Sequence, residues 1–428
     1  MRRWRIGLIR KMRILFLMFF FLSPVICLAE YSFELTPRIS VNRVYDDNMY
    51  LDDTNKESDS MTTASPGVSL TISSLNNTLS IDYAPTWVWY DKHHQDDTVR
   101  QASTLAFSQN MAEHVRFDLS NTYTRSEEPL ETDEEVESAR NTRNTYQRNR
   151  GSASLQYQFG PEDNLRFGYG HNLMENEDPA LDDGAIQTPF CSISYWLNIK
   201  NGLELNYGFT KAVFWRDDET IPGDDFEGHA TGLRYIHRFT PHTRGSIGYD
   251  FTNRNFERQT EDYKIHEETL GFEHAFSPRL SLSLQGGVFT QVNERSDDET
   301  GYSYDALLAK RFERGSFTIG GRGGWNEAYL EAERRGFTKY WSADSRLEYR
   351  LMERLNSYAG GSLRQDRASE NREWETWRGS CGLRLEFLRW FSLAIDYTYR
   401  KRDADDDTLD YTDNRVMLTL TAGKPYRW

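Results

Sequence analysis

"WSADSRLEYRLMERLNSYAGGSLR", residues 341–364, sets Trp341, Ala343, Leu347, Tyr349 and Leu351 on alternate positions, with Asp344, Arg346, Glu348 and Arg350 between them. A two-residue period is that of a β-strand, whose side chains point to opposite faces in turn. A polar turn near Glu353 interrupts the run before alternation resumes. The segment therefore predicts a hairpin with one greasy face and one charged face.

The same plan recurs along the chain, in "FSQNMAEHVRFDL" (107–119), "YQFGPEDNLRFGY" (157–169), "YWLNIKNGLELNY" (195–207), "FEHAFSPRLSLSL" (272–284) and "RLEFLRWFSLAIDY" (384–397). With those near Asn76, Pro241, Glu313 and Glu353 there are nine short turns, spaced 35 to 48 residues apart. Longer acidic segments lie between them: "DDNMYLDDTNKESD", "EEPLETDEEVES", "DDETIPGDD", "RSDDET" and "RDADDDTLD". Short connections alternating with long ones are the signature of an outer-membrane barrel. The expectation is an all-β, transmembrane, antiparallel up-and-down β-barrel of about 20 strands (18 to 22), with short periplasmic turns and longer acidic external loops.

Composition fits this only because the sheet closes. Apolar residues make up 38% of the 428, and mean hydropathy is -0.75, so no segment after the N-terminus qualifies as a membrane-spanning helix. A closed sheet pairs all its backbone groups internally and needs an apolar surface on its outer face alone. Parity places Leu79, Ile81, Tyr83; Leu203, Leu205, Tyr207, Phe209; Ile247, Tyr249, Phe251; Leu383, Leu385, Phe387; and Val416, Leu418, Leu420 toward lipid. Asp82, Glu204, Asn206, Asp250, Glu386, Arg415 and Thr419 fall on the other face. A soluble sandwich or propeller would bury Val and Ile between sheets, whereas the apolar face here is Leu, Tyr, Phe and Trp and the opposite face carries charge pairs.

Residues 1–29 read as a cleaved signal peptide: the basic "MRRWRIGLIRKMR", the apolar "ILFLMFFFLSPVICL" and Ala29. The apolar run is short for a membrane anchor, and the bulky Ile26 before Cys27 argues against a lipoprotein. Residues 30–428 then form one barrel domain in the cell outer membrane. The leader holds six of the 51 basic residues and none of the 66 acidic ones, so the mature chain is strongly acidic, which excludes a nucleic-acid partner. Cys191 and Cys381 fall on the lipid face and have no metal-ligand spacing. Trp87, Trp89, Tyr90, Trp196, Trp215, Trp325, Trp341 and Trp377 sit toward strand ends, where amphipathic rings favour the membrane interface. The terminal Trp428 resembles the insertion signal read by the barrel-assembly machinery. The expected surroundings are outer-membrane lipid and lipopolysaccharide.

A lumen follows from the strand number, because barrels of 16 to 18 strands already leave an aqueous channel. Pore-lining candidates by parity are Arg234, Arg238, Arg244, Arg322, Asp344, Arg346, Glu348, Arg350, Arg364, Arg378 and Arg384. Arg166, Arg254, Arg400, Asp118, Glu267, Glu273, Asp366 and Asp396 share that face. Two roles fit them: a network of ion pairs that narrows the lumen, or an arginine-lined path for an anionic polymer.

The opening of the mature chain carries a resemblance. "FELTPRISVNRVYDDNMYL", "ESDSMTTASPGVSLTI" and "LSIDYAPTWVWY" contain Pro37, the run Tyr45, Asp46, Asp47, Asn48, then Ser58, Asp59 and Ser65, Pro66, Gly67. These are similar to the start of a family of outer-membrane β-barrel porins found in exopolysaccharide and exosortase-type gene clusters. The matching motifs cover about the first 60 mature residues; the remainder matches in strand and turn rhythm alone. The resemblance implies an outer-membrane, porin-like channel serving export or surface assembly of an exopolysaccharide, with periplasmic export components as partners. The alternatives are a general diffusion porin and a non-conducting structural or adhesive barrel.

Catalysis is the competing class. "YDKHHQDD" (90–97) offers His93 and His94 with Asp91, Asp96 and Asp97, but adjacent residues of an extended chain face opposite ways, and no serine elbow or His-Glu-x-x-His run is present. A non-enzymatic barrel without cofactor is expected. Its external carboxylates show no calcium-loop spacing, and no metal site is assigned.

Overall fold

The computed structural model describes residues 31–128, 144–179, 181–215, 224–258, 260–328, 336–368, 372–405 and 409–428. The expected leader and most of segments 127–138 and 217–225 lie outside them. Among the described residues no helix is long and apolar enough to cross a membrane. Twenty antiparallel strands of 12 to 17 residues run from β1 (Ser32–Asp46) to β20 (Tyr411–Gly423), each paired with its sequence neighbours. β1 also pairs with β20, from Arg38↔Gly423 to Asp46↔Arg415, which closes the sheet and leaves no open edge. The tail after Gly423 prolongs this seam: the two-residue β21 (Tyr426–Arg427) pairs with Leu35 and Glu34 of β1. Phe33 and Trp428 exchange backbone hydrogen bonds of 3.0 and 3.1 Å, and their rings stack at 6.1 Å.

All nine turns expected from the sequence lie at one end of the barrel and the longer connections at the other. Six of the nine have two residues, and beside each the register slips by one. The extra residues are Met111, Leu197, Phe239, Phe276, Leu351 and Phe387, all large, apolar and exposed. A bulge re-aims a side chain without changing the partner strand. Here it turns one anchor outward per hairpin and gives the turn end an apolar collar.

A spanning strand needs about 9–11 residues, so these strands project beyond the hydrocarbon. Their surplus lies at the loop end, where outward faces turn polar: Tyr207 Oη meets His229 Nδ1 at 2.8 Å, Tyr249 Oη meets His266 Nδ1 at 2.7 Å, and Lys211 pairs with Glu227 at 2.5 Å.

Chords across the barrel identify the inner face. Arg254 on β11 (Thr243–Phe256) bonds Glu327 on β15 (Gly315–Ala328) at 2.8 Å, and Arg415 on β20 reaches Glu128 at 3.2 Å. Counting out from these along the paired strands, the apolar sets named above face outward. Cys191 and Cys381 share that outer face, opposite Tyr207 and Tyr397 in register.

Three of the aromatics expected at the membrane interface point inward instead. Tyr90 is one residue out of phase with the exposed Trp87 and Trp89, and it is buried against Val44, Met61 and Val88. Trp196 alternates with the exposed Tyr195 and carries the Arg238 guanidinium over its ring, 3.6 Å from the centroid. Trp325 follows Gly324, whose φ of 152° is open to glycine and strained for other residues. At that residue β15 parts from β14 (Glu299–Arg311): their pairing stops at Tyr304↔Gly323. Pairing of β15 with β16 (Gly336–Met352) continues to Ala328↔Gly336. The end of this hairpin bends into the lumen.

Candidate functional site

The lumen has two unlike halves. Toward the turns its wall is wet. Arg244 pairs with Glu273 at 2.6 Å, Arg346 with Glu348 at 2.8 Å, Arg234 with Glu204 at 4.0 Å and Arg322 with Asp305 at 3.7 Å. Their side chains remain about half exposed, 58% for Arg346 and 50% for Arg244. Asp344 lies against Gly320, and Arg350 and Arg384 face inward opposite Asn356, one residue row from the turns. A cavity of about 400 Å³ opens between Arg238, Arg244, Glu273, Ser283 and Leu307. Arg238 is fixed at this rim by Trp196 and by Glu162, whose Oε1 accepts from Nη1 at 2.8 Å. That contact also holds the Glu162 carboxyl below its ordinary pKa.

Toward the loops the same wall is packed. Side-chain exposure falls to 9% at Arg254 and 8% at Arg400. Among the described residues three apolar groups line the interior: Val44, Met49, Met61, Val88 and Tyr90; Tyr146, Met174, Ala212, Phe214 and Phe226; and Tyr263, Ile265, Phe289 and Phe337. Met49 and Leu51 come from the loop after β1, which tucks inward. Leu51 does so at a φ of 55°, a left-handed conformation uncommon for a branched residue. The bent β15–β16 hairpin completes the third group. Glu327 accepts from Arg254 at 2.8 Å and from Tyr263 Oη at 2.7 Å, Trp325 Nε1 donates to Glu267 at 3.0 Å, and Trp325 stacks on Phe337. Lys339 donates to the Thr300 carbonyl at 3.2 Å, on the stretch of β14 that β15 has left.

Between these apolar groups, β17 (Leu355–Ala368), β18 (Glu373–Leu388), β19 (Phe391–Ala404) and β20 carry a polar strip. Register sets Arg364, Thr376 and Arg402 in one row and Ser362, Arg378, Arg400 and Asp413 in the next, with Arg415 beside Thr398. Arg364 bonds Asp366 at 2.7 Å and lies 4.1 Å from the centre of the Tyr340 ring; Arg400 bonds Asp413 at 2.6 Å. Arg402, buried beside Trp374, has Nε and Nη2 without a partner. Most of the strip follows parity, which puts Arg364 and Arg378 among the pore-lining candidates and Asp366, Arg400 and Arg415 on the same inner face. Arg402 was not singled out; its alternation with Arg400 on the inward parity was the available signal.

Tyr45, Asp46, Asp47 and Asn48 lie at the loop end of the closing seam. Tyr45 faces outward and is half exposed. Asp47 accepts from Asn414 N at 2.6 Å and from its Nδ2 at 2.7 Å, and Asn48 Nδ2 donates to the carbonyls of Asp52 and Thr412 at 2.7 and 3.0 Å. The motif binds the last strand to the first, a role that no local spacing announces.

His93 and His94 do not converge. His93 Nδ1 lies 2.9 Å from Asp59 Oδ2 and Nε2 lies 2.7 Å from Glu57 Oε2, so both nitrogens are engaged. His94 is exposed, 3.9 Å from Asp97. His93 clasps its loop to the one before β2 (Asp59–Ser73), while His94 stays within its own loop. The His93 pKa is raised, chiefly by the bond to Asp59.

No family model and no curated protein matches the chain. Solved structures do. The siderophore receptor PirA from Pseudomonas aeruginosa is 10% identical, over 91% of this chain and 80% of its own, with a TM-score of 0.55. PirA from Acinetobacter baumannii is 7% identical over the same shares, at 0.53. The ferric citrate transporter FecA in its unliganded form is 10% identical over 91% and 78%, at 0.50. At such identities the likeness is one of fold, and that fold is the outer-membrane β-barrel.

Proposed function

We propose that the protein is a porin-like channel of the outer membrane that serves export or surface assembly of an anionic exopolysaccharide. The observation that carries this is the inward arginine strip of β17 to β20. Among the described residues it continues the inward arginines of the wet half toward the loop end, where Arg364 and Arg400 are buried and paired with Asp366 and Asp413. Rings or rows of fixed arginine select anions in pores, and a polyuronate-like chain would meet guanidinium groups at successive depths. The resemblance of the first 60 mature residues to porins of exopolysaccharide clusters supports the polymer as cargo. Outer-membrane lipid and lipopolysaccharide, the barrel-assembly machinery and periplasmic export components are the partners this role requires.

The packed loop end favours a second reading, a non-conducting structural or adhesive barrel. Planar-bilayer recording separates the two. The channel reading expects an anion-preferring conductance that a soluble polyuronate blocks and neutral dextran of equal size does not. Silence in the wild type and in a variant with the bent hairpin released would overturn the channel reading and leave the structural one.

A further inference from the structure

The loop end of the closing seam gathers three carboxylates: Asp46 ends β1, Asp47 follows it and Asp413 lies on β20. One ligand oxygen from each lies within 4.8 Å of the others. Asp413 is 0% exposed. Its Oδ2 accepts from Arg400 Nε at 2.8 Å and Nη2 at 2.6 Å, while its Oδ1 is buried with no hydrogen-bond partner. Asp46 is 3% exposed, and its Oδ1 accepts from the Asn48 amide at 3.0 Å. Asp47 is held by Asn414 as described.

Arg400 reaches Asp413 through Oδ2 and leaves Oδ1 without a donor, and Arg415 stands opposite Asp46 in register. A buried anionic oxygen without a donor is costly, and clustering anions raises the cost. Hard divalent cations relieve that arrangement, since calcium takes carboxylate and carbonyl oxygens in flexible geometry. We propose that Asp46, Asp47 and Asp413 bind a divalent cation of the calcium class, which clamps the first strand to the last at the loop end. This seam is where the wall depends on pairing between the two ends of the chain. A cation there adds a link that the ladder alone does not supply.

The test uses the full mature chain folded in calcium-free detergent micelles. Calorimetric titration with calcium should show one saturable site per chain, and a chelator should lower the unfolding temperature by several degrees. Asp413→Asn should weaken calcium affinity at least tenfold and abolish the chelator effect. Asp52→Asn with Asp53→Asn, in the neighbouring loop, should leave both unchanged. Should Asp413→Asn not fold, Asp46→Asn is read the same way. A wild type with no saturable site overturns the proposal, as does a chelator-insensitive wild type, which would mean that a shared proton relieves the cluster. Unchanged affinity in the folded Asp413→Asn or Asp46→Asn chain overturns it too.

Discussion

Arg346–Glu348 on β16 and Arg364–Asp366 on β17 are the same device, an arginine and an acid two residues apart on the inner face of neighbouring strands. Their N···O distances are 2.8 and 2.7 Å. The first lies toward the turns with side chains 58% and 52% exposed; the second lies toward the loops at 10% and 0%. Sequence cannot tell them apart, yet burial gives them different work. An exposed pair is worth about 0–1 kcal/mol because water screens it. Removing one member of a buried pair strands a charge and costs about 3–5 kcal/mol. Asp366→Ala should therefore lower folding stability in detergent by several kcal/mol, and Glu348→Ala by less than about 1 kcal/mol, measured by reversible urea unfolding. Equal losses would show that the two halves of the lumen are not energetically distinct.

The next largest effect tests what closes the packed half. Trp325 and Glu327 join the bent hairpin to β11 and β12 (Tyr263–Ser277), on the far side of β13 (Leu280–Asn293) and β14. Trp325→Ala with Glu327→Ala removes the stacking ring and the acceptor of both the Arg254 and Tyr263 bonds. Bilayer conductance should rise severalfold over the wild type. No rise, with the fold intact by heat-modified gel mobility, would place the constriction elsewhere among the inner apolar groups.

Selectivity should respond more weakly, and in opposite directions for the two signs of charge. Arg346→Ala with Arg350→Ala should reduce anion preference in salt-gradient reversal potentials, about twofold in permeability ratio for charges exposed to screening salt. Asp344→Asn with Glu348→Gln should increase it by a similar factor. Shifts in the same direction would mean that these residues answer one another in pairs and that the selecting charge lies in the buried strip.

How much of this could be read in advance follows from what each feature depends on. Strand number, turn positions and outward faces rest on local alternation, and Leu383, Leu385 and the nine turns declared themselves within a few residues. Trp325 did not, because its direction depends on Gly324 breaking parity and on β15 parting from β14. Tyr90 and Trp196 follow phase rather than residue type: each is next to an outward aromatic, Trp89 and Tyr195, and so points inward. The inner packing of Met49, Phe226 and Phe337 is not legible locally, since an apolar residue on the inner face looks like an error in alternation until its partners from distant strands are known. Asp46 and Asp413 meet only because the barrel closes.

The smallest effect belongs to the clasp above the barrel, and its pH dependence has a definite sign. His93 sits between Asp59 and Glu57, and its pKa is raised above the free value, first by the bond it donates to Asp59, against a lesser opposing desolvation. A raised histidine stabilises when protonated, so its contribution is complete below the free imidazole pKa of about 6.5 and is lost as pH climbs through the higher folded value. Arg43–Asp91, its neighbour on the same loop, works the other way. There the arginine holds the Asp91 pKa below the ordinary carboxylate range, so that contact is constant across neutral pH and drops out of the comparison. Amide exchange in residues 47–58 should accordingly quicken severalfold as pH passes from 6 to 8.5, after correction for intrinsic base catalysis. His93→Ala should show the fast rate at both pH values. A corrected rate in the wild type that does not change would mean that Asp59 keeps the loop in place through its bonds to the Lys92 and His93 amides alone.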